Sequence, residues 1–142
     1  LRIIGDGETS WIKDKLVSLK ITDSVSLEGE MTYEEISLAM QDANAFLLFS
    51  NIENLPLVLI ESMSTGTPII TSNVGGISEI FDDSKGIMID AGDQNKLLEA
   101  MNNMVENASN YNPQKIRKFA VDNFSQETIS NQFDEIYNKV VN

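Results

Sequence analysis

The sequence predicts an α/β protein with a Rossmann-like, doubly wound parallel sheet and extra helices at its C-terminal end. Five short runs of apolar, mostly β-favouring residues recur along the chain, at residues 2–4, 25–27, 45–49, 68–71 and 86–89. Amphipathic helical patterns separate these runs, and three more helical patterns follow the last one. This alternation is typical of parallel sheets covered by helices, in which ligands bind beyond the carboxyl ends of the strands.

The helical segments carry start and stop signals. Thr32 and Glu35 have the spacing of a capping box. Pro56 suits the first position of a third helix, and Gly66 suits its C-terminal cap. A capping residue precedes each of the last three helices, namely Asp93, Asn112 and Ser125. Their apolar residues are expected to pack in the core: Leu97, Leu98, Met101, Met104, Val105, Ile116, Phe119, Ala120, Ile129, Phe133, Ile136, Tyr137 and Val140.

The composition narrows the classes of function. The 142 residues suit a single domain. Net charge is −12, from 22 acidic and 10 basic side chains, so a nucleic-acid partner is not expected. Cysteine and histidine are absent, which removes thiolate nucleophiles and the usual zinc ligands. The sequence contains no apolar run of transmembrane length. A cytoplasmic location is expected, with neither metal nor cofactor.

Two carboxylates stand eight positions apart in the most informative segment. Glu53 follows a predicted strand, and Glu61 lies in the next helix on the same face as Leu57. The first turn of this helix offers unpaired N–H groups at about Leu57 and Val58, where the helix dipole favours an anion. The helix rises roughly 6 Å from Leu57 to Glu61, comparable to the distance from a nucleotide's phosphate to its ribose hydroxyls. The spacing alone, however, favours two solvated surface glutamates.

The residues around the two glutamates change that balance, because they resemble a family signature. The matching residues are Ser50, Glu53, Pro56, Glu61, Gly66-Thr67-Pro68 and Val74-Gly75-Gly76-Ile77-Ser78-Glu79. They resemble the E-x7-E motif, S-x-x-E-G-x-P-x-x-L-L-E-A-M-A-x-G-x-P-V-I followed by G-G-x-x-E, of the large group 1 family of retaining glycosyltransferases with GT-B architecture. The likeness extends from residue 1 to about residue 92, whereas the C-terminal helices match by placement only.

The resemblance implies that residues 1–142 are a single donor-binding domain, the C-terminal half of a GT-B enzyme. Such an enzyme transfers a sugar from a nucleoside diphosphate sugar to an acceptor hydroxyl, here in polysaccharide biosynthesis. The acceptor-binding N-terminal domain and the first strand and helix of the donor domain are expected to precede Leu1 in the same protein. We therefore expect the chain alone to be inactive, and the complete enzyme to be cytoplasmic or peripheral to the inner face of a membrane.

The resemblance also implies roles for individual residues. Glu53 is the implied catalytic residue, and Glu61 the implied partner of the ribose hydroxyls. The remaining implied donor-binding residues are Asn54, Leu55, Pro56, Leu57, Val58, Gly29, Glu30 and Met31, the last three near the base. Further loop contacts are expected at Gly5, Gly7, Gly75 and Gly76. Asn54 departs from the family pattern, which has glycine there; asparagine is expected to tolerate a left-handed backbone at this position.

Other interpretations remain open at this point. Gly5-Asp6-Gly7 after a strand, with Glu28 about twenty residues further on, is compatible with a Rossmann-type dinucleotide-binding domain, although Ser10 replaces the third glycine. A sugar-nucleotide epimerase with GT-B architecture and a non-catalytic module that binds nucleotide sugars would share the fold. Gly75 and Gly76 could also serve only as a tight turn.

Overall fold

The computed structural model describes residues 1–141. In chain order the elements are β1 Arg2–Ile4, α1 Ser10–Leu19, β2 Ser26–Glu28, α2 Tyr33–Asp42, β3 Phe46–Leu48, α3 Leu57–Thr65, β4 Ile69–Ser72, α4 Ile77–Ile80, β5 Gly86–Ile89, α5 Gln94–Asn107, α6 Pro113–Phe124 and α7 Gln126–Val141. All strand pairs are parallel. The predicted α/β class with parallel sheets and C-terminal helices is therefore confirmed.

The strands form two hydrogen-bonded groups. β1 pairs with β2, and β3, β4 and β5 pair in that order. Two predicted strands have the bounds expected from the sequence, at residues 2–4 and 86–89. The other three differ by one residue at each end: β2 and β4 begin and end one residue later than predicted, and β3 is one residue shorter at both ends. The chain divides into two compact units, residues 1–38 and the part from Ala39 onward.

The first unit contains β1, α1 and β2. Arg2 on β1 donates two hydrogen bonds to the Glu28 carboxylate on β2, from Nε at 2.8 Å and from Nη2 at 2.6 Å. These bonds, with another from the Ser26 hydroxyl, lower the pKa of Glu28 to about 2. The capping box before α2 is confirmed, since the Thr32 N–H and hydroxyl both donate to Glu35 at 2.8 Å.

The second unit has helices on both faces of β3, β4 and β5. Alternate residues of β4 point to opposite faces, as the pleat requires. Ile69 packs with Leu59 and Met63 of α3 and with residues of α6, whereas Ile70 packs against Ala100 and Met104 of α5. Each helix thus covers one face of the sheet and fixes the loops at the strand ends.

A buried lysine ties β5 to α6. The Lys85 side chain is 3% exposed, forms an ion pair with Asp82, and places its ammonium 3.9 Å from the centroid of the Phe119 ring. Hydrogen bonds from Lys85 and Ser84 hold the pKa of Asp82 at about 2. A buried charge needs such partners, and Lys85 therefore fixes the turn before β5 against α6.

The caps predicted for the last three helices are confirmed. Asp93 and Asn112 accept the N–H groups of the third helical residue at 2.9 Å and 3.0 Å, and the Ser125 hydroxyl accepts the N–H of Thr128 at 3.2 Å. Part of the predicted packing is wrong. Seven residues expected in the core are exposed: Leu98, Met101, Val105, Phe133, Ile136, Tyr137 and Val140.

Four of these residues, Phe133, Ile136, Tyr137 and Val140, lie on α7, which contributes no buried residue. The other three lie on α5, whose buried residues are Ala100 and Met104. An apolar stripe at helical spacing indicates a packing face, but it does not specify the surface that covers it.

Among residues 1–141, no helix is both long and apolar enough to cross a membrane.

Candidate functional site

The loop after β3 holds Glu53 in a defined position. The Ser50 hydroxyl, at the carboxyl end of this strand, donates a hydrogen bond of 2.7 Å to Oε1 of Glu53. Both residues are half-buried. Ser50 belongs to the segment that resembles the family signature, but the sequence did not predict a role for it. A hydroxyl three residues before a carboxylate is a local hydrogen-bonding pattern that could have indicated this contact.

Helix α3 begins one residue later than predicted. Pro56 has φ −71° and ψ 119°, so it is the N-cap, and Leu57 is the first helical residue. The N–H of Leu59 donates to the Pro56 carbonyl at 3.1 Å. The N–H groups of Leu57 and Val58 donate to no residue within the described part of the chain. These two free donors stand where the positive end of the helix dipole lies.

Glu61 lies one turn further along α3. Its neighbours Leu59, Ser62 and Met63 are fully buried, whereas Glu61 is half-buried. Its carboxylate makes no hydrogen bond or ion pair with any residue in the range 1–141. Side chains on a helix lean toward its N-terminus, so this carboxylate leans toward the turn that contains Leu57. The start of α3 therefore combines free donors with a free acceptor.

The opposite end of α3 is fixed by Gly66, as predicted. Gly66 has φ 83°, and its N–H donates to the Met63 carbonyl at 2.9 Å. A Cβ atom on Gly66 would lie 2.8 Å from the backbone oxygen of Pro113, the first residue of α6. Glycine here closes the helix and allows α3 and α6 to approach closely.

The turn of Gly75 and Gly76 contacts the Glu53 loop directly. The Gly76 N–H donates a hydrogen bond of 2.6 Å to the carbonyl of Asn54. A Cβ atom on Gly75 would lie 2.0 Å from the Glu53 carbonyl oxygen. The structure therefore brings together Glu53, Asn54, Gly75 and Gly76, and the helix start places Leu55, Pro56, Leu57, Val58 and Glu61 next along the same segment.

Asn54 does not use the left-handed backbone that asparagine would tolerate at this position. Lys20, with φ 56°, is the one non-glycine residue with positive φ among residues 1–141. The Asn54 carbonyl accepts the Gly76 N–H, and positive φ is found at Gly75 instead. The Asn54 side chain is exposed and has no partner in the described range.

The predicted residues of the first unit stand at the ends of β1 and β2. The Gly5 N–H donates to the Glu28 carbonyl at 3.2 Å, so these two strand ends adjoin. Cβ atoms on Gly5, Gly7 and Gly29 would have no heavy atom within 4 Å. Glu30 is exposed and Met31 half-buried, just before the capping box of α2. These residues therefore line open space within their unit.

Two contacts in the first unit weigh against a dinucleotide site. The Ser10 N–H, at the start of α1, donates to the Glu8 carboxylate at 2.8 Å, so the protein's own anion occupies this helix terminus. Hydrogen bonds from Ser10 lower the pKa of Glu8. Glu28 is the candidate partner of a ribose hydroxyl, but both of its carboxylate oxygens already accept hydrogen bonds from Arg2. Neither feature was apparent in the sequence, because each depends on side-chain direction.

A cavity and a buried hydroxyl involve none of the predicted site residues. A cavity of about 460 Å³ beside β5 and α5 is lined by Met88, Lys96, Asn103 and Tyr111 among others, and by none of the predicted site residues. The Ser72 hydroxyl, at the carboxyl end of β4, is buried without a hydrogen-bond partner in the described residues. Within residues 1–141, no cluster of three acidic side chains is close enough to hold a metal ion.

Comparisons with known proteins agree in the kind of protein they find. A family profile described as "Glycosyl transferases group 1" matches residues 1–136. The chain is 30% identical over 145 residues to N-acetyl-alpha-D-glucosaminyl L-malate synthase of Bacillus anthracis, covering 99% of this chain and 38% of that protein. It is 24% identical over 141 residues to glycogen synthase of Mycobacterium tuberculosis, covering 96% and 34%.

A solved structure shares the fold. Anabaena Alr3699/HepE in complex with UDP-glucose superposes with a TM-score of 0.82 at 21% identity, over 97% of this chain and 40% of that chain. The chain thus spans little more than a third of the length of the curated relatives it matches.

Proposed function

Because the chain belongs to the glycosyl transferases group 1 family, we propose that it is the donor-binding domain of a retaining glycosyltransferase. The proposed reaction transfers a sugar from a nucleoside diphosphate sugar to an acceptor hydroxyl. Its family relatives include enzymes named as synthases of a glycoside and of glycogen, and a neighbour in fold is named in complex with UDP-glucose. We therefore propose a uridine diphosphate sugar as the first donor to test.

One observation carries the proposal. The start of α3 presents the free N–H groups of Leu57 and Val58, and the half-buried carboxylate of Glu61 follows one turn later without a partner. The two free donors suit the oxygens of a diphosphate. The carboxylate suits the two hydroxyls of a ribose, because an ionised carboxylate accepts strong hydrogen bonds. The rise of roughly 6 Å between Leu57 and Glu61 matches the separation of these groups in a nucleotide.

Glu53 has a different role in this proposal. Its loop follows β3 and precedes the helix that receives the diphosphate, so the sugar attached to that diphosphate would meet Glu53 and Asn54. During transfer the bond between the anomeric carbon and the phosphate oxygen breaks, and the diphosphate keeps the electron pair. The acceptor oxygen bonds to the anomeric carbon, and its hydroxyl proton goes to the departing diphosphate or to water. The helix N-terminus would stabilise this developing charge, while the Glu53 loop orients the sugar.

A titration of the isotope-labelled chain with UDP tests the proposal. We expect saturable shifts of the Leu57 and Val58 amide signals, and at least a tenfold weaker affinity for UDP in Glu61→Gln. The matched control is Glu106→Gln, which alters an exposed glutamate of α5 and should leave the affinity unchanged. Equal affinities in wild type and Glu61→Gln would refute the assignment of Glu61. Shifts of Gly5 and Gly7 with NADH, in the absence of any with UDP, would instead favour the dinucleotide interpretation.

A further inference from the structure

The Gly75-Gly76 turn and the Glu53-Asn54 loop are interlocked through their backbones. Gly75 has φ 56°, and a Cβ atom there would lie 2.0 Å from the Glu53 oxygen and 2.6 Å from the Asn54 oxygen. Both neighbouring atoms belong to the backbone, so no side-chain rotation can relieve the collision. The turn can therefore lie this close to the loop only with glycine at position 75.

Three contacts hold the Glu53 segment from different directions. Ser50 binds the carboxylate of Glu53 through a hydrogen bond of 2.7 Å. Gly75 lies against the Glu53 carbonyl, and the Gly76 N–H binds the following carbonyl, that of Asn54, at 2.6 Å. Side chain and backbone of the loop are thus both positioned, although no regular element contains it.

The position of the turn is set in its own right by the core. β4 ends at Ser72, and the N–H of Asn73 donates to the Ile89 carbonyl at 2.7 Å. Ile77, which follows the turn directly, is fully buried in the cluster with Leu59 and Met63. Strand β4 anchors the turn on one side and the buried Ile77 anchors it on the other. The turn can therefore act as a fixed support for the Glu53 loop, which lies outside any helix or strand.

We infer that Gly75 and Gly76 are positioning residues for Glu53, and that they set how the sugar part of the donor is held. This inference rests on the proposed function, because it assumes that the Glu53 loop faces the sugar. Diphosphate binding depends on the start of α3 and not on this turn. The turn therefore controls the sugar end of the donor separately from its nucleotide end.

A matched pair of variants separates this role from simple backbone strain. Gly75 and Gly92 both have positive φ, 56° and 75°, and both are exposed. A Cβ on Gly92 would meet only Oδ1 of Asn51, at 3.8 Å, which is an ordinary contact. Gly75→Ala and Gly92→Ala thus impose similar strain, but only the first pushes on the Glu53 loop.

The test compares UDP with UDP-glucose in the labelled chain. We expect Gly75→Ala to shift the Glu53 and Asn54 amide signals, to keep the wild-type affinity for UDP within about twofold, and to lose the affinity that glucose adds. In the complete transferase, turnover should fall about tenfold to a hundredfold, since a displacement near 1 Å has such effects. Gly92→Ala should keep the wild-type ratio of the two affinities.

A second variant keeps the inference testable if Gly75→Ala does not fold. Gly76 has φ −83°, so alanine fits its backbone, and the added Cβ would lie 3.3 Å from the Asn54 oxygen. Gly76→Ala should fold and move the Asn54 signal by less than Gly75→Ala does, with a smaller loss for UDP-glucose.

The outcomes distinguish the inference from the proposed function. If wild type binds UDP but neither Gly75→Ala nor Gly76→Ala moves the Glu53 and Asn54 signals more than Gly92→Ala does, the positioning role is overturned and the donor site stands. If wild type does not bind UDP while Gly75→Ala still displaces the loop, the contact is supported as structure and the proposed function fails, and the assignment to the sugar fails with it.

Discussion

The starts of α1 and α3 share the same order of strand, loop and helix, but their hydrogen bonds differ. Each helix follows a short parallel strand and a loop that contains a glutamate, Glu8 before α1 and Glu53 before α3. Glu8 turns back and accepts the N–H of Ser10, whereas Glu53 is held by Ser50 and leaves the donors of α3 free. The first terminus is closed by the chain itself, and the second is open to a ligand.

A helix terminus can receive an anion only if the carboxylate next to it binds another group and leaves the helix N–H groups free. Both helices have, at their N-termini, the positive end of the dipole and the backbone N–H groups that stabilise an anion. At α3 the nearby carboxylate of Glu53 is held away from the helix N–H groups by the Ser50 hydroxyl. The carboxylate one turn into α3, that of Glu61, is half-buried, whereas its counterpart in α1, that of Asp14, is exposed. Free donors are therefore informative only once the local acceptors are accounted for.

Among changes that test the contrast between these helix starts, the largest effect is expected from closing the open terminus of α3. Leu57→Pro removes one of the two free N–H groups and keeps the helix, because proline suits the first helical position and Pro56 already has an extended ψ of 119°. The Leu57 side chain is 71% exposed, so little packing is lost. We expect UDP affinity to fall about tenfold, the value of one charge-assisted hydrogen bond. Calorimetric titration measures this loss.

The control for this variant is Gln94→Pro, which places proline at the same position of α5, a helix already capped by Asp93. It should bind UDP as wild type does. An unchanged affinity in Leu57→Pro would show that the open terminus of α3 does not bind the diphosphate, and the contrast with α1 would lose its functional meaning.

A smaller effect is expected from opening the closed terminus. Glu8→Gln removes the charge at the start of α1, where an anion is stabilised by the dipole, so the thermal unfolding midpoint at neutral pH should fall slightly. UDP should still shift the signals of Leu57 and Val58 and leave that of Ser10 unmoved, because the carboxylate one turn into α1, that of Asp14, is exposed, whereas that of Glu61 is half-buried. A UDP-dependent shift of Ser10 in this variant would mean that charge alone separates the two termini.

The smallest effect concerns the ion pair of Arg2 and Glu28. Its bonds lower the pKa of Glu28 from 4.5 to about 2. A carboxylate whose pKa is lowered by folding stabilises the folded state above its unfolded pKa, and this contribution is lost as the pH falls through the folded one. The difference in melting temperature between wild type and Glu28→Gln should therefore be constant above pH 5 and shrink between about pH 4.5 and 2.

Because the pair is exposed, we expect this difference to be small throughout. Glu34→Gln, at an exposed glutamate with no ion pair among residues 1–141, serves as the control and should show no such trend. A difference that grows on acidification would contradict the assigned role of Arg2.

Features that depend on near neighbours were predictable from the sequence. The capping box at Thr32 and Glu35, the caps at Asp93 and Asn112, and the stop at Gly66 each involve groups within a few residues. Strand existence was predictable for the same reason, because short β-favouring runs bounded by turn residues are local signals. The shift of the α3 start by one residue reflects the extended ψ of Pro56, which its side chain permits as readily as a helical value.

Features that depend on distant neighbours were not predictable. Nothing in the sequence near Gly75 indicates that its missing side chain makes room for the Glu53 carbonyl, because the contact joins two loops separated by α3 and β4. The exposed stripe of α7 failed for a related reason, since periodicity identifies a face and not its cover. The candidate roles of Glu53 and Glu61 stay predictions, supported by their surroundings.

The close packing of Gly66 against Pro113 has a mechanical consequence for α3. At its C-terminal end α3 lies directly against the backbone of Pro113 in α6, because Gly66 has no Cβ atom there. Leu59 and Met63 of α3 are also buried in one cluster with Ile116 and Ala120 of α6. A movement of α6 would therefore carry α3 with it, including its start at Leu57. Residues on the buried face of α6 thus help to set the orientation of the proposed donor-binding helix terminus.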